Sequence, residues 1–194
     1  MKLLITGING FVAKHFLRFL VEQKNDGLSI LGLGRANSSF DKEDFPSLNI
    51  TYKQVDLLDK EKVGEIIQQF QPTCLLHLAS FSSVGHSWKF PHESFVNNTN
   101  IFLNLVDQIR LFDIDCRIIS IGSSEEYGNV NAAILPLTEE SILNPISPYA
   151  VARVSQEMIS RIYADGYGMD IVMTRSFNHI GPGVIGYMHQ LFGK

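Results

Sequence analysis

At 194 residues, with 45% hydrophobic, 19% charged and 10% aromatic side chains, the chain has the length and composition of one well-buried soluble domain. A formal charge of -4 gives no broad basic field of the kind that binds nucleic acid. No apolar run reaches the roughly 18 residues that cross a bilayer, and the opening MKLLITGINGF lacks the long apolar core of a secretory signal.

Short apolar runs alternate with longer helical patterns. KLLIT (2–6), SILGLG (29–34), ITYKQV (50–55), TCLLHL (73–78), CRIISIG (116–122) and DIVMTRS (170–176) read as strands. Several are apolar throughout, as expected where both faces of a parallel sheet are covered. Helices are expected at about 10–24, 59–70, 93–112 and 147–166. This alternation predicts an α/β, doubly wound parallel sheet. Cys74 and Cys116 fall in the strand candidates, where two thiols are read as inert core residues in a reducing cytoplasm.

The first strand runs directly into TGINGFVAKHFLRFL, which places Gly7, Gly10 and Ala13 in a G-x-x-G-x-x-A pattern at a strand-to-helix junction. Side chains there would block the close approach of a pyrophosphate, while the first helical amides and the helix dipole favour an anion. Ala13 replaces a third glycine where helix packs on strand. The pattern points to a dinucleotide, although a tight turn alone also uses glycine. Beyond the second strand, LGLGRANSS offers no acid for a ribose 2′-hydroxyl and instead offers Arg35, whose guanidinium suits a 2′-phosphate. NADP is therefore expected ahead of NAD, with a solvated surface arginine as the alternative.

The stretch NPISPYAVARVSQEM sets Ser147 and Pro148 as N-cap and first helical residue, and Tyr149 and Arg153 four residues apart on one face. Val151, Val154, Met158 and Ile162 form an apolar stripe expected to be core, which leaves the tyrosine and arginine free of any packing duty. A phenol titrates near pH 10, and a fixed cation beside it favours the phenolate. An exposed i,i+4 pair that supports the helix is the other reading. Upstream, IISIGSSEEYG places Ser123 just after the fifth strand, at the carboxyl edge where ligands of open α/β sheets collect. Glu125, two residues on, is a candidate base or substrate-orienting group.

The segments TGINGF, VDLLD, LLHLAS, GSSEEYG, SPYAVARVSQE and RSFNHIGPG, in that order, resemble the extended short-chain dehydrogenases/reductases of the nucleotide-sugar epimerase/dehydratase group. Within that group the chain is similar to GDP-4-keto-6-deoxy-D-mannose reductases and GDP-mannose 4,6-dehydratases. The resemblance implies a Rossmann-type NAD(P)-binding domain over 1–176 and the start of a substrate-binding region over 177–194. It implies that Gly7, Asn9, Gly10, Phe11 and Val12 wrap the pyrophosphate, with Arg35 at the adenosine phosphate. Asp56 and Leu57 would flank adenine; Leu78, Ala79 and Ser80 would line the nicotinamide-side ribose. Asn98 matches a structural or water-organising helix asparagine. Ser123, Tyr149 and Arg153 match the catalytic positions, and Glu125 the base that dehydratases use. Asn178 matches a loop meeting both nicotinamide and sugar; Ser83, Ser124 and His179 join it as expected substrate contacts. No metal is expected, and His77 and His179 are read as residues with satisfied nitrogens.

Three departures stand out. Arg153 occupies the family's lysine position, Ser176 replaces the residue usual before the FN pair, and the sequence ends at Lys194 where such proteins continue. The VIGYMHQLFGK segment does not match the family's continuation. Arginine keeps the charge but not lysine's compact ammonium geometry, so a weakened or specialised site is expected. The expected activity is NADP(H)-dependent reduction of a 4-keto-6-deoxy nucleotide sugar. The alternatives are a 4,6-dehydratase or epimerase with tightly bound NAD(P), and a non-catalytic cofactor-binding module. A homodimer is expected through a four-helix interface built from the segments 93–112 and 147–166.

Overall fold

The computed structural model describes residues 1–25, 27–36 and 42–182. The VIGYMHQLFGK segment, one of the departures noted above, lies outside the described residues. Six strands, β1 (Lys2–Thr6), β2 (Ser29–Gly34), β3 (Asn49–Gln54), β4 (Cys74–His77), β5 (Arg117–Ser123) and β6 (Ile171–Ser176), form one sheet in the order β3-β2-β1-β4-β5-β6. Every neighbouring pair is parallel. The order reverses between β1 and β4, which opens the crevice where ligands of such sheets bind.

Helices α1 (Phe11–Glu22), α2 (Lys60–Phe70), α3 (Val84–Lys89), α4 (Pro91–Leu111) and α5 (Pro148–Tyr167) make the crossovers β1–β2, β3–β4, β4–β5 and β5–β6. The six strands and four long helices match the expected elements to within two residues at each end. α3 is additional, a single short turn capped by Ser83, whose hydroxyl accepts the His86 N–H at 3.1 Å. Six residues are too few to show a helical period, so it escapes pattern reading.

Alternation along the strands divides the core in two. Leu3, Ile5, Ile30 and Leu76 face one way and pack with Ala13, Leu17 and Leu20 of α1. Leu4, Leu31, Leu33, Leu75 and Ile118 face the other way and pack with α2 and α4, where Phe102, Leu105 and Ile109 are fully buried. Each such side chain contributes about 2 kcal/mol by removal from water. Cys116 lies in this second cluster, one residue ahead of β5, and burial pushes its thiol up to about 12. Both cysteines are free thiols, and Cys74 is only half-buried.

Helix α5 corrects the expectation from its sequence. Of the expected core stripe, Val151, Met158 and Ile162 are 43%, 41% and 62% exposed and Val154 is half-buried, whereas Tyr149 and Arg153 are 6% and 5% exposed. The buried face is Tyr149, Ala150, Ala152, Arg153, Gln156, Glu157 and Ser160. The cause is hydrogen-bond supply. The inner face meets polar groups of β5, so polar side chains there are satisfied while the apolar stripe is left outside.

Candidate active site

The turn after β1 is shaped for close approach. Gly7 has φ +70°, and a Cβ there would lie 2.8 Å from the Ala79 backbone nitrogen, so glycine is required to bring the turn against the end of β4. Gly10 is the N-cap of α1 and supplies no capping side chain, and no acid occupies the helix's first turn. The Gly10 N–H is taken by the Gly7 carbonyl at 2.8 Å, and the N–H groups of the first helical turn are left for an external anion. Beside them Asn9 Oδ1 is buried without a hydrogen-bond partner. A buried acceptor in that state is costly unless a donor arrives from outside the chain.

From this turn a cleft of about 160 Å³ extends past Gly34, Arg35, Asp56 and Leu57 on one side and Ala79, Ser80 and Phe81 on the other. Arg35 stacks its guanidinium 4.6 Å over the Phe81 ring, across the cleft. No motif in the sequence marks Phe81 for this place. Asn98 holds its peptide from both sides: Oδ1 accepts the Phe81 N–H at 2.8 Å, and Nδ2 donates to the Phe81 carbonyl at 3.1 Å. The asparagine thus fixes the strand-to-helix loop. A glycine cradle, an open helix N-terminus, an orphaned acceptor and an adjoining cleft lined by a cation fit a dinucleotide. Gly7, Asn9, Gly10, Phe11 and Val12 would hold its phosphates and Arg35, Asp56 and Leu57 its adenosine end.

Arg153, bonded to Ser80 of the cleft wall, joins it to Tyr149, and Ser123 ends the neighbouring strand. Ser123 is the last residue of β5, where the sequence places it just after the strand, and Tyr149 is in the first turn of α5. Ser147 caps that helix by accepting the Ala150 N–H at 3.1 Å. Arg153 Nε donates to the Tyr149 phenol oxygen at 3.1 Å, Nη1 to the Ile121 carbonyl at 3.1 Å and to Gln156 Oε1 at 2.7 Å, and Nη2 to Ser80 Oγ. One guanidinium therefore ties together the ends of β4 and β5 and the start of α5. The surface i,i+4 pair is ruled out by its burial.

Ser123 is set by a capping box absent from the sequence reading. Its Oγ accepts the Glu125 N–H at 3.2 Å, while its own N–H donates to Glu126 Oε1 at 2.6 Å. The S-x-x-E spacing of Ser123 and Glu126 is the signal that sequence offers for it. Glu126, rather than Glu125, is the buried carboxyl; Glu125 is exposed. Burial, with Glu157 close by, pushes the Glu126 carboxyl up to about 7. Glu157 moves the other way because Arg175 grips it with two hydrogen bonds of 2.8 Å.

Asn178 and His179 are exposed in the loop after β6, and no hydrogen bond joins them to Ser123 or Tyr149. Ser124 is half-buried beside Ser123, and Leu78 lies half-buried at the end of β4. His77 corrects another expectation. Its Nδ1 pairs with Thr6 Oγ1 at 2.8 Å, but Nε2 is buried without a partner as the ring packs 5.3 Å from Phe102. Burial, then the charge of Arg153, pushes this imidazole down to about 3, so it is neutral. Among the described residues no cluster of His, Cys, Asp and Glu can hold a metal, and no helix is long and apolar enough to cross a membrane.

The model of the family described as GDP-mannose 4,6 dehydratase matches residues 4–187. The chain belongs to that family. Within the GDP-mannose 4,6 dehydratase family and its neighbours, it is 28% identical over 182 residues to GDP-6-deoxy-D-mannose reductase of Pseudomonas aeruginosa, covering 94% of this chain and 53% of the relative. It is 25% identical over 193 residues to dTDP-glucose 4,6-dehydratase of Neisseria meningitidis, covering 93% and 54%. Among solved structures, RMD from Pseudomonas aeruginosa complexed with NADPH superposes with a TM-score of 0.74 at 27% identity, covering 94% of this chain and 56% of that one. UDP-glucose 4-epimerase from Brucella ovis in complex with NAD gives 0.78 at 26% identity, covering 91% and 52%. The chain spans about half the length of the curated relatives it matches.

Proposed function

We propose that residues 1–176 bind NADP(H) across the carboxyl rim of the sheet, and that the natural protein reduces a 4-keto-6-deoxy nucleotide sugar. The observation that carries this reading is the Arg153 fork, bonded at once to Tyr149, to Ser80 and to the Ile121 carbonyl. The cofactor, when bound, supplies the hydride. A guanidinium only donates, so the phenol oxygen accepts from Nε and its own hydrogen is free to point at a substrate carbonyl. Tyr149 donates that proton to the developing alkoxide, and the Ser123 hydroxyl, which already accepts from Glu125, is left to donate to the same oxygen. Arg153 stays bonded to the phenol oxygen after the proton has gone. Arg35 favours NADP over NAD through its charge at the adenosine end of the cleft.

Residues 177–194 begin the substrate-binding region in this reading, with Ser83, Ser124, Asn178 and His179 as its contacts on the sugar side. The exposed Val151, Met158 and Ile162 of α5, with Phe95 of α4, support a homodimer packed through these two helices. Two free thiols are in keeping with a reducing cytoplasm.

Calorimetry with NADPH, NADP+ and NADH on the natural protein, followed by stoichiometry with nucleotide sugars, is the test. Absence of binding by every dinucleotide overturns the reading. Glu125, an exposed carboxylate next to Ser123, favours a second reading in which a 4,6-dehydratase uses it to abstract a C5 proton. Net consumption of NADPH separates the two, because a dehydratase regenerates its cofactor each cycle.

A further inference from the structure

Arginine at this position raises a problem of placement, since its planar fork has to be held in one plane for Nε, rather than Nη, to meet the phenol. Gln156 addresses it. Its side chain is 1% exposed on α5, one turn beyond Arg153. Arg153 Nη1 donates to Gln156 Oε1 at 2.7 Å, and Gln156 Nε2 donates to Ser120 Oγ at 3.0 Å and to the Ile121 carbonyl at 3.2 Å. The amide orientation is forced: a guanidinium cannot accept and a carbonyl cannot donate. Ser160 Oγ lies 3.1 Å from Ser120 Oγ and donates to the Gln156 main-chain carbonyl at 2.9 Å. Four of the five guanidinium N–H groups are thereby committed, leaving one Nη2 N–H uncommitted among the described residues, on the side of Ser80.

We propose that Gln156, braced by Ser120 and Ser160, is the positioning residue that lets an arginine serve beside Tyr149, aligning Nε on the phenol and the spare Nη2 N–H toward the cofactor ribose. The ribose half of this statement rests on the function proposed above; the alignment half does not. A lysine has no plane to fix, so Gln156 matters only when arginine is present.

The test is a cycle of Gln156→Leu, Arg153→Lys and the double variant in the natural protein. One readout is solvent exchange of the Arg153 Nε–H in 15N-labelled protein, assigned by its loss in Arg153→Lys. The other is NADPH affinity by calorimetry. Gln156→Leu is expected to speed that exchange and to weaken NADPH binding about tenfold with arginine present, but to change affinity less than about twofold on the Arg153→Lys background. An equal loss of affinity on both backgrounds, or unchanged exchange, overturns the proposal and makes Gln156 a packing residue. If the parent binds no NADPH, the proposed function falls, and the exchange readout still decides the alignment.

Discussion

Glu126 reaches back along one turn to take the Ser123 backbone N–H at 2.6 Å, placing a buried carboxyl directly behind the hydroxyl proposed to meet substrate. Its other oxygen is buried toward Glu157, to which the protonated carboxyl donates a hydrogen bond, and Arg175 is the cation that acts on it.

That arrangement sets a pH dependence. The Glu126 carboxyl is raised to about 7 in the folded chain from 4.5, so between these values the folded state holds a proton that the unfolded state has lost. Its contribution to stability is therefore complete below pH 4.5 and is lost as pH rises toward 7, by roughly 2 to 3 kcal/mol. Glu126→Gln keeps an acceptor for Ser123 and removes the charge. Urea denaturation should show the variant gaining on the parent from pH 5 to pH 8 (roughly 2 kcal/mol by the same linkage), and parallel curves would refute the assignment.

The Arg175–Glu157 pair is buried on both sides, and Arg175 also donates to Tyr127 Oη at 3.2 Å and to the Glu139 carbonyl at 3.0 Å. Arg175→Met leaves that carboxylate with the half-exposed Arg161 as its remaining cation. A loss of about 3 kcal/mol is expected by chemical denaturation. A loss under about 1 kcal/mol would show that the pair is no more than a surface bridge.

Two glycines with nearly equal φ separate backbone strain from crowding. Gly168, at φ +68°, ends α5 with nothing near a would-be Cβ, whereas Gly7, at φ +70°, meets the Ala79 backbone. Gly168→Ala should cost about 1 kcal/mol. Gly7→Ala should cost clearly more and abolish dinucleotide binding in calorimetry; equal costs would mean that the turn can back away from β4.

The outward stripe of α5 predicts an assembly. Ile162→Asp should convert a dimer to a monomer in light scattering while leaving the thermal transition of the monomer within a few degrees, since the side chain is 62% exposed. A parent that is monomeric at every concentration removes the pairing proposal.

The sheet and its long helices are legible because strands covered on both faces carry continuous apolar runs, as in ILGLG (30–34) and LLI (3–5). The glycine turn and the Tyr149–Arg153 spacing are legible for the same local reason: each lies within one turn of chain. What sequence conceals is long-range. Nothing in the residues around Phe81 announces that Asn98 holds it or that Arg35 stacks on it, because these partners are 17 and 46 residues away in sequence. The face of α5 is misread from sequence because hydrophobicity assigns the apolar side to the core. Here Ser120 and the Ile121 carbonyl on β5 create a polar wall that only Gln156, Arg153 and Ser160 can answer.

A helix seated on teeth of this kind has a single admissible setting. An oily stripe tolerates small slides and rolls, because the dispersion attraction given up at one spot returns at the next. Turning α5 by one residue would strand a guanidinium and a carboxylate in a dry interior, so the seam works as a keyed joint whose angular play is small. The phenol and hydroxyl therefore inherit their alignment from the seam beneath them, ahead of any visiting molecule.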